Sequence, residues 1–169
     1  MQFCYADPPY FGRCCYYGHQ HGDRLRPFDG RCWDDIETHR LLIQWLVDEY
    51  PDGWALSASA PSLRQLLPFA PLDVRPAYAW EPVLFASRAN PPHIAHPPPQ
   101  KGGKQTTPKD FFSGRITLQK GLTGAKSPEF CQWVLQLLNA KPEDAIADPF
   151  PGAGGMRRAI ADLGAALIF

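Results

Sequence analysis

The sequence predicts an α/β fold of the doubly wound type. Three observations carry that expectation. Strand-like runs alternate with runs of helical periodicity from one end of the chain to the other. Two strand-like runs end at corners built from proline and glycine, Asp7-Pro8-Pro9-Tyr10 and Asp148-Pro149-Phe150-Pro151-Gly152-Ala153-Gly154-Gly155. The 169 residues are 44% hydrophobic and 20% charged, which supplies a core and excludes a highly charged, disordered chain.

Residues 2–6 (QFCYA) form a short β-prone run stopped by Asp7-Pro8-Pro9. Residues 34–50 are the clearest helix: Asp34 or Asp35 can cap it, and Ile36, Leu41, Leu42, Trp45 and Leu46 recur at helical spacing. Pro51-Asp52-Gly53 ends it. A strand over 54–59 and a short helix over 62–67 follow. Residues 73–79 and 82–88 read as two tightly joined strands. Pro128 opens a helix over 128–139, with Phe130, Trp133, Val134 and Leu137 on one face. Residues 145–150 read as a buried strand that runs into the glycine corner. The helix after that corner closes at Gly164, and residues 165–169 begin another strand. Trp33 and Trp45 are expected in the core, and Asp162 on the solvent side of its helix.

Between the strands lies a segment of different character. Residues 91–99 (PPHIAHPPP) can be neither helix nor central strand, and with the lysine-bearing stretch behind them they make 89–112 a long polar loop. Net charge is zero, yet residues 88–126 carry +6 and the rest of the chain −6. Such a segment is either a solvated loop or a surface that neutralises phosphates. Within it, Lys101, Lys104, Lys109 and Arg115 are the candidate nucleic-acid contacts.

The five cysteines are an odd number, and the first ten residues lack the basic and apolar regions of a signal peptide. Reduced thiols in a cytoplasmic protein are expected. No apolar run approaches the ~18 residues of a membrane span, so no membrane association is expected. Cys14, Cys15, His19, His21 and Cys32 fit no strong zinc spacing, and no metal is expected. The loop holding them lies either near a bound base or simply in solvent.

The two corners carry the chemistry. In open α/β sheets ligands bind beyond the carboxyl ends of strands, where glycines let the backbone come close. The glycine corner fails the dinucleotide fingerprint, because Arg157 stands where the third glycine belongs. It also lacks the Gly-Lys-Ser/Thr of a phosphate loop. Taken together, Asp7-Pro8-Pro9-Tyr10 and Asp148-Pro149-Phe150-Pro151-Gly152-Ala153-Gly154 resemble the paired motifs of the S-adenosylmethionine-dependent DNA amino-methyltransferases. Tyr78-Ala79-Trp80-Glu81-Pro82-Val83 is similar to a late-strand segment of related enzymes. Gly124-Ala125-Lys126-Ser127-Pro128 resembles the family segment in which a Lys-Pro opens a helix, with Ser127 intruding here.

The resemblance implies a Rossmann-like methyltransferase sheet in one domain over 1–169, with a target-recognition insertion at about 89–122. The catalytic motif comes first and the cofactor loop last, the permuted order of the beta group. It implies methyl transfer from S-adenosylmethionine to the N6 amino group of adenine in double-stranded DNA, with the target base flipped out. Asp7, Pro8, Pro9 and Tyr10 then take catalytic roles. Asp148, Phe150, Gly152, Gly154, Lys126 and Ser127 take cofactor-binding roles. The resemblance further implies a bacterial or phage-like modification enzyme. N4-cytosine and RNA N6-adenine methylation are the alternatives within the class. In the family a later strand ends in an acid that binds ribose, and here the chain stops at Ala165–Phe169. Three expectations follow: a C-terminally truncated domain lacking one edge strand, a site completed by another polypeptide, or an inactive remnant that binds only DNA or a partner. Oligomeric state is left open.

The chemistry of the first corner supports the resemblance independently. An exocyclic amine is a poor nucleophile while its lone pair is delocalised into the ring. Acceptors that hold both amino hydrogens free that pair. The Asp7 carboxylate can take one hydrogen, and the Pro8 carbonyl the other. Tyr10 can stack on an extruded base. Phe11 either adds a second apolar wall or belongs to the core.

Overall fold

The computed structural model describes residues 1–12, 28, 31–72, 74–78, 82–88, 111–113 and 125–168. Six strands form one sheet: β1 (Gln2–Ala6), β2 (Gly53–Ser57), β3 (Arg75–Tyr78), β4 (Pro82–Ser87), β5 (Ala145–Ala147) and β6 (Ala166–Ile168). Their order across the sheet is β3-β4-β2-β1-β5-β6. Four α-helices accompany them: α1 (Ile36–Glu49), α2 (Ala60–Leu66), α3 (Pro128–Leu137) and α4 (Gly155–Leu163).

The sheet is covered on both faces, and alternation along β1 shows how. Phe3 and Tyr5 join Phe130, Val134 and Leu137 of α3 and Met156 and Ile160 of α4 in one core. Cys4 and Ala6 point the other way, into a core with Leu42, Ile43 and Leu46 of α1. Successive side chains of a strand leave on opposite faces, so a strand buried on both sides is apolar throughout. That is why QFCYA carries no polar alternation after Gln2. The Tyr5 hydroxyl is satisfied inside the core by Ser57 Oγ at 2.9 Å.

The helices begin where local chemistry caps them. Asp35 caps α1, its side chain accepting from the Glu37 N–H. Ser127 caps α3 through the Phe130 N–H, with Pro128 in the first turn. Gly154 and Gly164 stand in the left-handed region at the two ends of α4, at φ 78° and 81°. Trp33 is buried, Trp45 is half-buried, and Asp162 is exposed, as expected.

The sheet departs from a purely parallel doubly wound pattern. β1 runs parallel to β2 and β5, and β5 to β6, but β4 is antiparallel to both β2 and β3. For β3 and β4 the cause is connection length. Only three residues separate Tyr78 from Pro82, and a parallel crossover needs a dozen or more. The strand predicted over 145–150 stops at Ala147, because Asp148 and Pro149 turn out of the ladder. The strand over 54–59 likewise ends at Ser57, since Ser59 caps α2. The 89–112 loop is not polar to its end: the half-buried Phe112 packs on Phe130 and Trp133, with ring centroids 5.9 and 5.8 Å away.

Gly53 is a place where only glycine fits. A Cβ there would stand 2.8 Å from the Ala86 carbonyl oxygen and 3.0 Å from Ser87 Cα, both backbone atoms of the paired β4. Gly53→Ala must therefore push β2 and β4 apart. The expected loss is about 1–3 kcal/mol of stability. It should appear as a lower urea midpoint at unchanged slope. An unchanged midpoint would show that the pair yields without cost.

Candidate active site

Two chain corners leave the carboxyl edge of the sheet side by side. β1 and β5 are hydrogen-bonded neighbours, with Cys4 opposite Ala147. Asp7 follows the end of β1, and Asp148 follows the end of β5. The two predicted motifs therefore share one edge rather than lying on opposite sides of the molecule.

The first corner is rigid by composition. Pro8 and Pro9 are buried and supply no N–H to extend the ladder, so the strand stops and the backbone direction is set. Asp7 and Tyr10 are half-buried beside them. The Tyr10 hydroxyl points at Asp7 Oδ1 across a long 3.4 Å. Phe11 lies edge-on to the buried His39 ring, 6.4 Å between centroids. It is half-buried, and that contact favours its packing role.

Lys126 completes this corner. Its ammonium is 3.2 Å from Asp7 Oδ2 and donates to the Tyr10 hydroxyl at 3.0 Å. Only 8% of the side chain is exposed, so this cation is held by partners rather than by water. The sequence resemblance attached Lys126 to the cofactor side; the structure places its charge on the Asp7 corner. Gly155 helps to put it there. A Cβ on Gly155 would come within 3.0 Å of the Lys126 carbonyl oxygen and 3.3 Å of Cys131 Sγ. The start of α4 thus packs directly on the segment leading into α3.

The second corner has a different character. Gly152 and Gly154 both take positive φ, 46° and 78°, which side chains other than glycine rarely adopt. The Asp148 side chain is fully buried, and neither carboxylate oxygen has a hydrogen-bond partner. Arg157 Nε is 3.9 Å from Oδ2, too far for a hydrogen bond. Burial pushes the Asp148 carboxyl up to about 6; Arg157 opposes that shift, and the nearby Asp7 charge adds to it. Arg157 and the Phe150 backbone compensate this buried carboxylate only in part, so it favours an incoming cation or hydrogen-bond donor. Phe150 is buried against Trp33, with centroids 5.2 Å apart and planes at 78°, and so anchors the loop. Ser127 Oγ is engaged in capping α3.

Lys101, Lys104, Lys109 and Arg115 lie outside the described residues, as do Cys14, Cys15, His19 and His21. Among the described residues no cluster of His, Cys, Asp or Glu is arranged to hold a metal. None of their helices is long and apolar enough to cross a membrane. Sequence reasoning missed Gly155 as a packing residue and Lys126 as a partner of Asp7. Its one available signal was the position of Lys126 immediately before a helix cap.

No protein-family model matches the chain, and no curated protein matches it. Solved structures do. The chain is similar to M1.HpyAVI in its SAM complex, with a TM-score of 0.55 and 15% identity, covering 99% of this chain and 80% of that one. A second structure of M1.HpyAVI matches with a TM-score of 0.54 and 14% identity, over 98% and 78% of the two chains. At such identity the likeness establishes the fold alone, a mixed α/β fold shared with M1.HpyAVI.

Proposed function

We propose that the protein transfers a methyl group from S-adenosylmethionine to the N6 amino group of adenine in DNA. The observation that carries this reading is the juxtaposition of the Asp7 and Asp148 corners on adjacent parallel strands. The similarity to M1.HpyAVI, a DNA methyltransferase whose structure includes a SAM complex, supports the same reaction class. The Asp-Pro-Pro-Tyr tetrapeptide favours adenine N6 within that class, and the order of the corners along the chain fits the permuted group.

The residues present fit such a cofactor. Asp148 offers a buried carboxylate without hydrogen-bond partners to a cationic amino-acid group. Gly152 and Gly154 keep the loop free of side chains beside it. When bound, the cofactor supplies a sulfonium-activated methyl group, so no metal and no covalent enzyme intermediate are needed. The protein's part is to present the amine. Asp7 accepts one amino hydrogen and the Pro8 carbonyl the other, and Tyr10 stacks on the extruded base. The amino proton lost on methylation would leave to water. Alignment of nitrogen and methyl is then a proximity effect. The basic residues Lys101, Lys104, Lys109 and Arg115 are proposed to contact phosphates, and Phe150 to support the cofactor loop through Trp33.

The test is direct. Purified protein is incubated with methyl-labelled cofactor and duplex DNA, and the DNA is digested to nucleosides and analysed by mass spectrometry. N6-methyladenine is the expected product. N4-methylcytosine, label entering only RNA, or no label at all would overturn the assignment.

A further inference from the structure

We infer that Lys126 is a positioning residue for the amine-gripping corner, holding Asp7 and Tyr10 in one arrangement through its ammonium group. The inference rests on the methyl-transfer reading above and assigns that site a third working side chain. Lys126 reaches from the segment before α3 to the end of β1, and touches Asp7 Oδ2 at 3.2 Å and the Tyr10 hydroxyl at 3.0 Å. A lysine on an exposed loop gains little from such a pair. Here the cation is 8% exposed and the carboxylate 20%, so the contact is largely shielded from solvent.

The geometry divides the work of the carboxylate. Oδ2 faces the ammonium at 3.2 Å. Oδ1 faces the Tyr10 hydroxyl at 3.4 Å, well beyond the usual O–H···O distance of about 2.7–2.8 Å. With the ammonium on Oδ2, Oδ1 is the oxygen assigned to the substrate amine. Lys126 meanwhile remains on Oδ2, where an ammonium at contact distance favours the charged form of a carboxyl. A protonated Asp7 would keep only a neutral carbonyl acceptor, and its grip on the amine would weaken.

The other charges around Asp7 make this role necessary. Asp148, following β5, interacts with Asp7 as a like charge. Cys131 on α3 also feels Asp7, and burial raises its thiol to about 12, so it is neutral. Arg157 on α4 lies 3.9 Å from Asp148 Oδ2, while Lys126 stands 3.2 Å from Asp7 Oδ2.

The experiment compares wild type with Lys126→Met and Lys126→Arg. The Asp7 carboxyl is titrated by carbon NMR in the protein without ligand, using Asp7→Asn to assign its signal. Losing an opposite charge at contact distance should move the Asp7 midpoint up by about one pH unit or more in Lys126→Met. Lys126→Arg should restore it. In the methyl-transfer assay the acid limb should move in the same direction. kcat should fall by about tenfold or more, while cofactor affinity changes by less than about threefold. An unmoved Asp7 midpoint overturns the inference, and so does a loss confined to cofactor affinity. Should Lys126→Met fail to fold, Lys126→Gln gives the same readings. Wild type that transfers no methyl group overturns the reaction assignment instead, and the carboxyl titration still decides the role of Lys126.

Discussion

Asp7→Ala is expected to lower methyl transfer to DNA by on the order of 10²–10³-fold, while cofactor affinity stays within about threefold of wild type. The basis is the position of Asp7 beyond the end of β1, beside but separate from the glycine corner after β5. Alanine removes the acceptor of one amino hydrogen and leaves the Pro8 carbonyl in place. It also leaves Lys126 buried without its carboxylate, which adds a folding cost. Asp7→Asn separates the two effects: the amide keeps the shape and a carbonyl acceptor but loses the charge. Single-turnover transfer and calorimetric cofactor titration on both variants check the expectation. Wild-type turnover in Asp7→Ala would remove the proposed mechanism.

The second large effect is a pH dependence of stability set by Asp148. Its carboxyl is raised from 3.8 to about 6 by burial, so the folded chain holds a proton that the unfolded chain releases. Between those values the unfolded state binds fewer protons, and stability falls as pH rises. The contribution is present in full below about pH 4 and gone above about pH 6. The span corresponds to about 3 kcal/mol. Asp148→Asn should remove this slope and leave the variant more stable than wild type at neutral pH by up to that amount. Urea unfolding of both proteins between pH 4 and 7 gives the difference curve, in which groups common to both cancel. Arg157, Asp7, Cys4 and Cys131 all interact with Asp148, so the shape of that curve also reports their coupling. Parallel curves would show that Asp148 titrates alike in both states. On the proposed function, cofactor binding should also release a proton below pH 6, because a cation beside Asp148 favours its charged form.

Much of the architecture was legible because short-range chemistry dictates it. β1 ends where Pro8 and Pro9 remove the N–H groups a ladder needs. α3 starts where Ser127 and Pro128 make a cap and first turn, and α4 stops where Gly164 takes a left-handed turn. The two corners were legible as motifs, and parallel pairing of β1 with β5 brings them together. The direction of β4 against β2 was not legible, since it depends on which strands pair. The partner of Lys126 was hidden for a related reason. A long flexible side chain takes its address from tertiary packing, and here Gly155 against the Lys126 backbone sets that address. Nor could a motif show that Asp148 would be sealed without a hydrogen-bond partner.

Phe3 lies beside Ile146 across the β1–β5 pair, so the chain between residues 3 and 146 is looped out between two touching strands. Closing so long a loop is entropically slow, and a growing chain cannot achieve it until residues 145–147 have been made. The nascent protein thus carries one half of its working edge long before the other exists. The two corners therefore come together late, when β5 pairs with β1.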